Sequence, residues 1–190
     1  MELKGSKTKQ HLLAAFAGES QARNRYTFFA SVAKKAGYEQ ISGIFTETAA
    51  NEKEHAERFF KFLDGGELEI IASFPAGVIG DTAANLKASA DGENMEWTKL
   101  YKDAEQVARE EGFEEVANVF KEIAEVEAEH EKRYRKLLAN IEAGTVFEKD
   151  KVVKWKCRNC GYVHEGTEAP DECPACAHPQ AYYELLAENY

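Results

Sequence analysis

Cysteine is missing from the first 156 residues of this 190-residue chain; all four cysteines fall between Cys157 and Cys176. A disulfide framework would spread its crosslinks along the sequence, so the long first segment is not held together by crosslinking. Proline is scarce, with four in the whole chain, and glycine interrupts the first segment only at wide intervals. Basic residues are too few for a nucleic-acid binder: 24 Lys and Arg stand against 34 Asp and Glu, a formal net charge of −10, and a phosphate-tracking surface needs clustered positive charge. No apolar run approaches the roughly 20 residues of a membrane helix. The longest, Ile70 to Gly80, is broken by Ser73 and Pro75. The amino terminus, MELKGSKTKQ, lacks the apolar stretch of a secretory signal, so the expected location is cytoplasmic, without nucleic-acid or membrane partners.

What the first segment has is helical periodicity. From Ser6 to about Lys35, Leu12, Phe16, Tyr26, Ala30 and Ala33 share one face, and Ala36-Gly37 ends the helix. A second helix, from about Gln40 to Leu63, carries Ile41, Phe45, Thr48, Phe59 and Phe62 as its stripe and stops at Asp64-Gly65-Gly66. After some fifteen residues of loop the pattern returns. Gly18-Glu19 recurs as Gly92-Glu93, an offset of 74, and GYEQISGIFTETAANEKEH (37–55) matches GFEEVANVFKEIAEVEAEH (112–130), an offset of 75. This is an internal duplication of a helix pair, and the one-residue slip is expected in the turn between the two helices. Short connections at Gly37 and Gly112 and a long one between the pairs describe an all-α, ferritin-like four-helix bundle with one long crossover.

Carboxylates interrupt all four stripes near mid-length. Glu19 falls on the buried face of the first helix, Glu52 and His55 on that of the second, and Glu127 and His130 repeat this arrangement in the fourth. In the third helix the series Leu86, Ala90, Glu93, Trp97, Leu100 places Glu93 inside, with Glu96 one turn on and beside the seam. A single Glu-x-x-His on a Glu-rich helix is ordinarily a solvated pair. Two copies in register within a duplication, with two matching glutamates, are not. Burying several carboxylates at one level costs several kcal/mol each unless positive charge compensates. Arg23 is the main candidate among the side chains, and two divalent metals would supply more. Glu from two helices with Glu-x-x-His from the other two is the ligand set of di-iron and di-manganese carboxylate bundles. The His and carboxylate mixture suits iron or manganese. Glu96 has Ala22 at its equivalent place in the first repeat and reads either as an exposed glutamate or as a surplus ligand. Tyr26, on the face of Glu19, is a candidate for a hydrogen bond near the metals, and Tyr101 a weaker one; core packing explains either equally well.

The tail carries Cys157-Arg-Asn-Cys160-Gly161 and Cys173-Pro174-Ala-Cys176, two metal knuckles twelve residues apart. Gly161 frees the backbone for the knuckle's turn, and Pro174 stiffens the second. Four thiolates favour a tetrahedral site for zinc or iron, and spacing does not choose between them. So small a module needs its metal to fold. His164 and His178 lie nearby but are surplus to a complete thiolate shell.

Together, AGESQARNRY (17–26), the two Glu-x-x-His motifs, the Gly-Glu-x-x-Glu of the third helix and the CRNCGYVHEG…CPAC tail make the sequence similar to the rubrerythrin family over nearly its whole length. The resemblance implies a bundle over residues 1–146 and a small, β-rich, rubredoxin-like domain over 147–190. It implies that Glu19, Glu52, His55, Glu93, Glu96, Glu127 and His130 bind two non-haem irons and that Cys157, Cys160, Cys173 and Cys176 bind one more, with Glu96 replacing a histidine ligand as the redox state changes. It also implies reduction of hydrogen peroxide to water, with electrons from a small donor such as a rubredoxin or an NAD(P)H-dependent reductase. The alternatives are a ferroxidase or iron-handling bundle and a zinc-ribbon electron-transfer or binding protein. From Glu127 to Ile141 the fourth helix runs about 20 Å, a long way for electron transfer within one chain, so a homodimer is expected in which one subunit's tail serves the other's bundle.

Overall fold

The computed structural model describes residues 3–189. Helices α1 (Lys7–Lys35) and α2 (Glu39–Phe60) form the first antiparallel pair. A connection over residues 61–81 crosses to α3 (Thr82–Met95), which runs through a π-helical turn (Glu96–Leu100) into α4 (Tyr101–Glu110); α5 (Glu114–Glu142) completes the second pair. Capping explains the starts. The Ser6 side chain accepts from the Lys9 N–H, and Asp81 accepts from the Ala84 N–H, each satisfying a donor that the first turn leaves free. The ends are set by glycine. Gly37 and Gly112 both take left-handed φ values, +83° and +78°, and the following N–H reaches back to close the helix, Tyr38 to the Ala33 carbonyl and Phe113 to that of Ala108. The duplicated sequence therefore makes the same turn twice.

The apolar core is split. One cluster, built around Tyr26, Phe45, Leu86 and Tyr134, fills one half of the bundle; another, around Leu12, Phe59, Tyr101 and Phe120, fills the other. Between them lie the buried carboxylates. Repeat-equivalent residues fall in opposite halves, Phe45 against Phe120 and Tyr26 against Tyr101, as expected when a duplicated helix pair packs about a pseudo-twofold axis.

The third helical segment departs from the sequence expectation. A regular helix would put Leu100 on the buried stripe, but Leu100 is 44% exposed and Tyr101 is buried in its place. The π turn accommodates one extra residue in the helix, which rotates everything beyond it by one position. The slip between the repeat offsets of 74 and 75 is thus absorbed inside the helix and not in the turn at Gly112.

After α5 the chain forms a three-stranded antiparallel sheet in the order β2-β1-β3, from β1 (Glu148–Cys157), β2 (Val163–Glu168) and β3 (Tyr183–Leu185). Trp155 sits at its centre, paired with His164 on one side and Leu185 on the other, and packs with Cys157, Ala169, Cys173 and Tyr183 in a small core. This module rests on the α1–α2 end of the bundle. Phe147 stacks on Tyr38 at 6.1 Å between ring centres, and Arg158 lies so close to Gly43 that a β-carbon there would stand 2.6 Å from the guanidinium.

The two knuckles differ at the residue that follows the second cysteine. Gly161 follows Cys160 at φ +81°, and its N–H donates to the Cys157 carbonyl at 2.9 Å; the equivalent Ala177 makes the same bond to Cys173 at 2.8 Å but is held at φ +53°. A β-carbon in the left-handed region costs about 1–2 kcal/mol. Ala177→Gly should therefore stabilise the metal-loaded module by about 1 kcal/mol, read as a later midpoint for loss of the thiolate–metal absorption in guanidinium; an unchanged or earlier midpoint would refute the strain.

Candidate metal centres

Glu19, Glu52, Glu93 and Glu127 are fully buried, and His130 nearly so. Their ligand atoms gather in two overlapping quartets: Glu19, Glu52, His55 and Glu127, then Glu52, Glu93, Glu127 and His130, with the atoms of each quartet within 4.8 Å of one another. Glu52 and Glu127 belong to both, as carboxylates bridging two ions must. Glu19 with His55, and Glu93 with His130, close the two ends. The imidazole rings lie 6.0 Å apart between centres. Nδ1 of His55 is 2.9 Å from an oxygen of Glu52 and 2.9 Å from one of Glu127, and Nδ1 of His130 is 2.7 Å from Glu127 and 3.3 Å from Glu52.

Despite these distances, seven buried polar atoms here make no aligned hydrogen bond: Glu19 Oε2, both oxygens of Glu52 and of Glu127, and Nδ1 of both histidines. Buried polar atoms ordinarily find partners, and a cluster of orphans directed at common points is what a metal pair would complete. Lysine and arginine do not supply the charge. Arg23 is exposed on α1, and among the described residues no Lys or Arg is buried. The residues present therefore fit two divalent ions bound by oxygen and imidazole nitrogen.

Two phenols sit behind the carboxylates. Tyr26 donates to Glu93 Oε1 at 2.5 Å, and Tyr101 donates to Glu19 Oε1. Each repeat's tyrosine holds the other repeat's terminal glutamate. Tyr26 and Tyr101 are related by the same offset of 75 as the Glu-x-x-His motifs, a sign legible in the sequence that would have made them a pair of equal standing.

Glu96 stands apart. It lies on the π turn, outside both quartets, with its Oε1 about a methyl group's contact distance (4.0 Å) from where a β-carbon on Gly18 would be. The turn itself is pinned from outside, because Trp97 Nε1 and Asn94 Nδ2 both donate to Glu131 Oε2, at 2.6 and 2.9 Å. Sequence periodicity offered no hint of this brace.

Electrostatics follow from burial without compensation. Desolvation, then repulsion from neighbouring carboxylates, holds Glu19 and Glu93 well above the usual carboxylate range and pushes Glu96 up to about 8. Burial opposes charge on the histidines, but the adjacent Glu127 and Glu52 carboxylates outweigh it and raise His55 to about 10 and His130 to about 9. Burial would also raise Glu52; the two histidines instead bring it below its ordinary value.

In the tail, Sγ of Cys157 lies 3.8 Å from that of Cys176, and Cys160 Sγ 3.6 Å from Cys173. A disulfide would need about 2.05 Å. A tetrahedral ion with sulfur ligands at about 2.3 Å has sulfur–sulfur edges of about 3.8 Å, so the four thiols match such a site.

The fold and its sites define a ferritin-like di-iron carboxylate bundle joined to a four-cysteine, rubredoxin-like module. Residues 10–138 match the Rubrerythrin family and residues 155–184 the family described as "Rubrerythrin, rubredoxin-like domain". The chain is 66% identical to a rubrerythrin of Porphyromonas gingivalis over 99% of its own length and 94% of that protein's, and 60% identical to one of Nitratidesulfovibrio vulgaris over 99% and 98%. A solved structure of nigerythrin in its fully reduced, all-ferrous state shares the fold at a TM-score of 0.62 and 32% identity, covering 97% of this chain and 91% of that one. The chain belongs to the rubrerythrin family, a family of oxidoreductases. No helix among the described residues is long and apolar enough to cross a membrane.

The proton ledger of the metal-free site gives a prediction. Glu19, Glu93, Glu96, His55 and His130 all bind protons more tightly folded than unfolded, so unfolding releases protons and stability falls as pH rises. The carboxylates lose ground from about pH 4.5 upward and the imidazoles from about 6.5 upward. The metal-free protein should melt roughly 5 °C or more lower at pH 8.5 than at pH 5.5, at about 2–4 °C per kcal/mol, while the iron-loaded protein, neutralised by metal, should not. A flat metal-free profile in calorimetry would contradict the uncompensated burial.

Proposed function

We propose that this protein is a peroxidase that reduces hydrogen peroxide to water, with electrons delivered singly through the four-cysteine iron from a small donor such as a rubredoxin or an NAD(P)H-dependent reductase. The observation that carries the reading is the coexistence, in one chain, of two symmetric ligand quartets with a surplus carboxylate beside them and a four-thiolate site suited to one-electron relay. A bundle built only to store or oxidise iron has no use for the relay.

The reaction needs two electrons, two protons and a broken O–O bond. When bound, the iron pair supplies two electrons and Lewis acidity to the peroxide oxygens. The chain's residues do the rest. Glu52 and Glu127, which belong to both quartets, would be ligands to either ion, and as carboxylates they could change their mode of binding as the charge beside them changes. Tyr26 and Tyr101 fix the orientation of Glu93 and Glu19 and keep a proton at those carboxylates. Glu96, on its π turn, is the carboxyl free to move, either to take up a proton or to serve as a replacement ligand. The two apolar half-cores above and below exclude bulk water.

Stopped-flow mixing of the fully reduced protein should show oxidation by hydrogen peroxide at least tenfold faster than by dioxygen; equal or faster oxidation by dioxygen would sink the assignment in favour of a ferroxidase. Metal analysis should find three irons per chain, and zinc in the thiolate site would end the relay. Glu96→Ala should lower turnover by at least tenfold with the helical circular-dichroism signal intact.

The proposal extends to a cytoplasmic homodimer. Within one chain the module touches the bundle at Gly43, nine residues from Glu52 and so about 14 Å along α2. A partner's module can approach the site from the side. Co-expression of a Cys160→Ser, Cys173→Ser chain with a Glu52→Ala, Glu127→Ala chain should then restore peroxidase activity that neither has alone; no recovery in a verified mixed dimer would place the relay within one subunit.

A further inference from the structure

A cavity of about 770 Å³ opens between α1 and the third helical segment, roofed by the crossover connection at Ile70 to Pro75. Its floor reaches Glu96 and Tyr101, and because the Tyr101 hydroxyl donates to Glu19 the cavity abuts the metal site. Hydrogen peroxide alone does not account for it: a water molecule's share of liquid volume is about 30 Å³, and a two-oxygen substrate would fill a small part of this space. Hundreds of cubic ångströms lined by apolar side chains, with polar groups such as Gln21, Arg25, Asp91 and Glu96 among them, is the size of a small-molecule site.

The walls are kept back at two repeat-equivalent positions. Gly18 on α1 and Gly92 on α3, each just before its glutamate ligand, both line the cavity. Neither glycine is required by the backbone, since neither has a left-handed φ. Neither is required by packing in the usual way. A β-carbon at Gly92 would meet nothing within 4 Å, and one at Gly18 would only touch Phe74 at 3.7 Å and Glu96 at 4.0 Å. Glycine in mid-helix weakens the helix relative to alanine, so what these positions preserve is open space. Phe74, carried by the crossover, lines the cavity over Gly18, so that it and Glu96 both lie within 4.0 Å of where a β-carbon on Gly18 would stand.

We infer that this cavity admits small organic hydroperoxides, ROOH, holding the hydrocarbon group against Phe74 and the glycine-lined walls with the peroxide end at Glu96 and Tyr101. The inference rests on the peroxidase reading and names a substrate class for the same site. The O–O bond breaks, two electrons from the reduced site and two protons enter, and the products are the alcohol ROH and one water. The reductant is the same small redox donor that serves hydrogen peroxide.

The test uses the oxidised, iron-loaded full-length protein and cumyl alcohol, the product of cumene hydroperoxide, which cannot turn over. Its NMR resonances should be broadened by the paramagnetic site in the native protein. Gly92→Leu, which fills the cavity with a good helix former, should reduce that broadening at least fivefold, and Phe74→Ala should increase it. Should Gly92→Leu fail to fold, Ala14→Leu, on the opposite wall, serves in its place. In steady-state assays Gly92→Leu should lower kcat/KM for cumene hydroperoxide at least tenfold more than for hydrogen peroxide. Equal broadening in the native protein and both filled variants, or equal loss with the two peroxides, would overturn the inference. Native protein that reduces hydrogen peroxide but neither binds cumyl alcohol nor reduces cumene hydroperoxide would overturn it and leave the peroxidase reading standing. Native protein that reduces neither peroxide would defeat the peroxidase reading, with cumyl alcohol binding then deciding separately whether the cavity is a site.

Discussion

The structure is organised around one layer of carboxylates that the protein itself neutralises only in part, through two histidines. Four glutamates are buried at mid-bundle, with no Lys or Arg buried among the described residues and two histidines as the nearest cationic groups. A layer like this is unfavourable in an apolar interior unless it takes up protons or metal ions. Its cost explains why the core divides into two halves, why two phenols donate to the outer glutamates, and why so many polar atoms lack partners in the protein. The rest of the bundle supplies the packing that holds these groups in register against their mutual repulsion.

Duplication makes that register simple to reach. Two helix pairs with the same turn, the same Glu-x-x-His and the same tyrosine pack about a pseudo-twofold axis, so each ligand has a counterpart on the other side. The symmetry fails at one place. The second pair carries an extra residue, housed in the π turn, and there Glu96 stands where the first pair has Ala22. A symmetric site would treat its two metals alike. The added carboxylate makes one side different, and the cavity between α1 and the third helical segment reaches the site on that side.

Most of the ligand set could be read in the sequence because helical periodicity projects directly onto a face: residues three and four apart are neighbours whatever the tertiary structure. Glu19, Glu52, His55, Glu93, Glu127 and His130 were all placed on buried faces in this way, and all six lie in the two quartets. The four cysteines were legible for a related reason, since ligands within a knuckle are local in the chain. The same periodicity misled at Leu100, because counting by 3.6 presupposes an unbroken helix and the π turn breaks it. Arg23 is exposed although it shares the stripe's spacing, because periodicity names only a sector and a long, flexible side chain at its edge reaches water.

Composition, duplication and motif spacing thus determined the fold class, the two metal centres and the family, since these depend on short-range patterns that any helix or knuckle must express. What tertiary structure alone decided is how separate segments meet: the crossed hydrogen bonds from Tyr26 to Glu93 and from Tyr101 to Glu19, the brace from Trp97 to Glu131, the seat of the cysteine module at Gly43, and the cavity beneath the crossover. Each joins residues far apart in the chain, and such meetings are set by the packing of whole helices against one another, which no local pattern records.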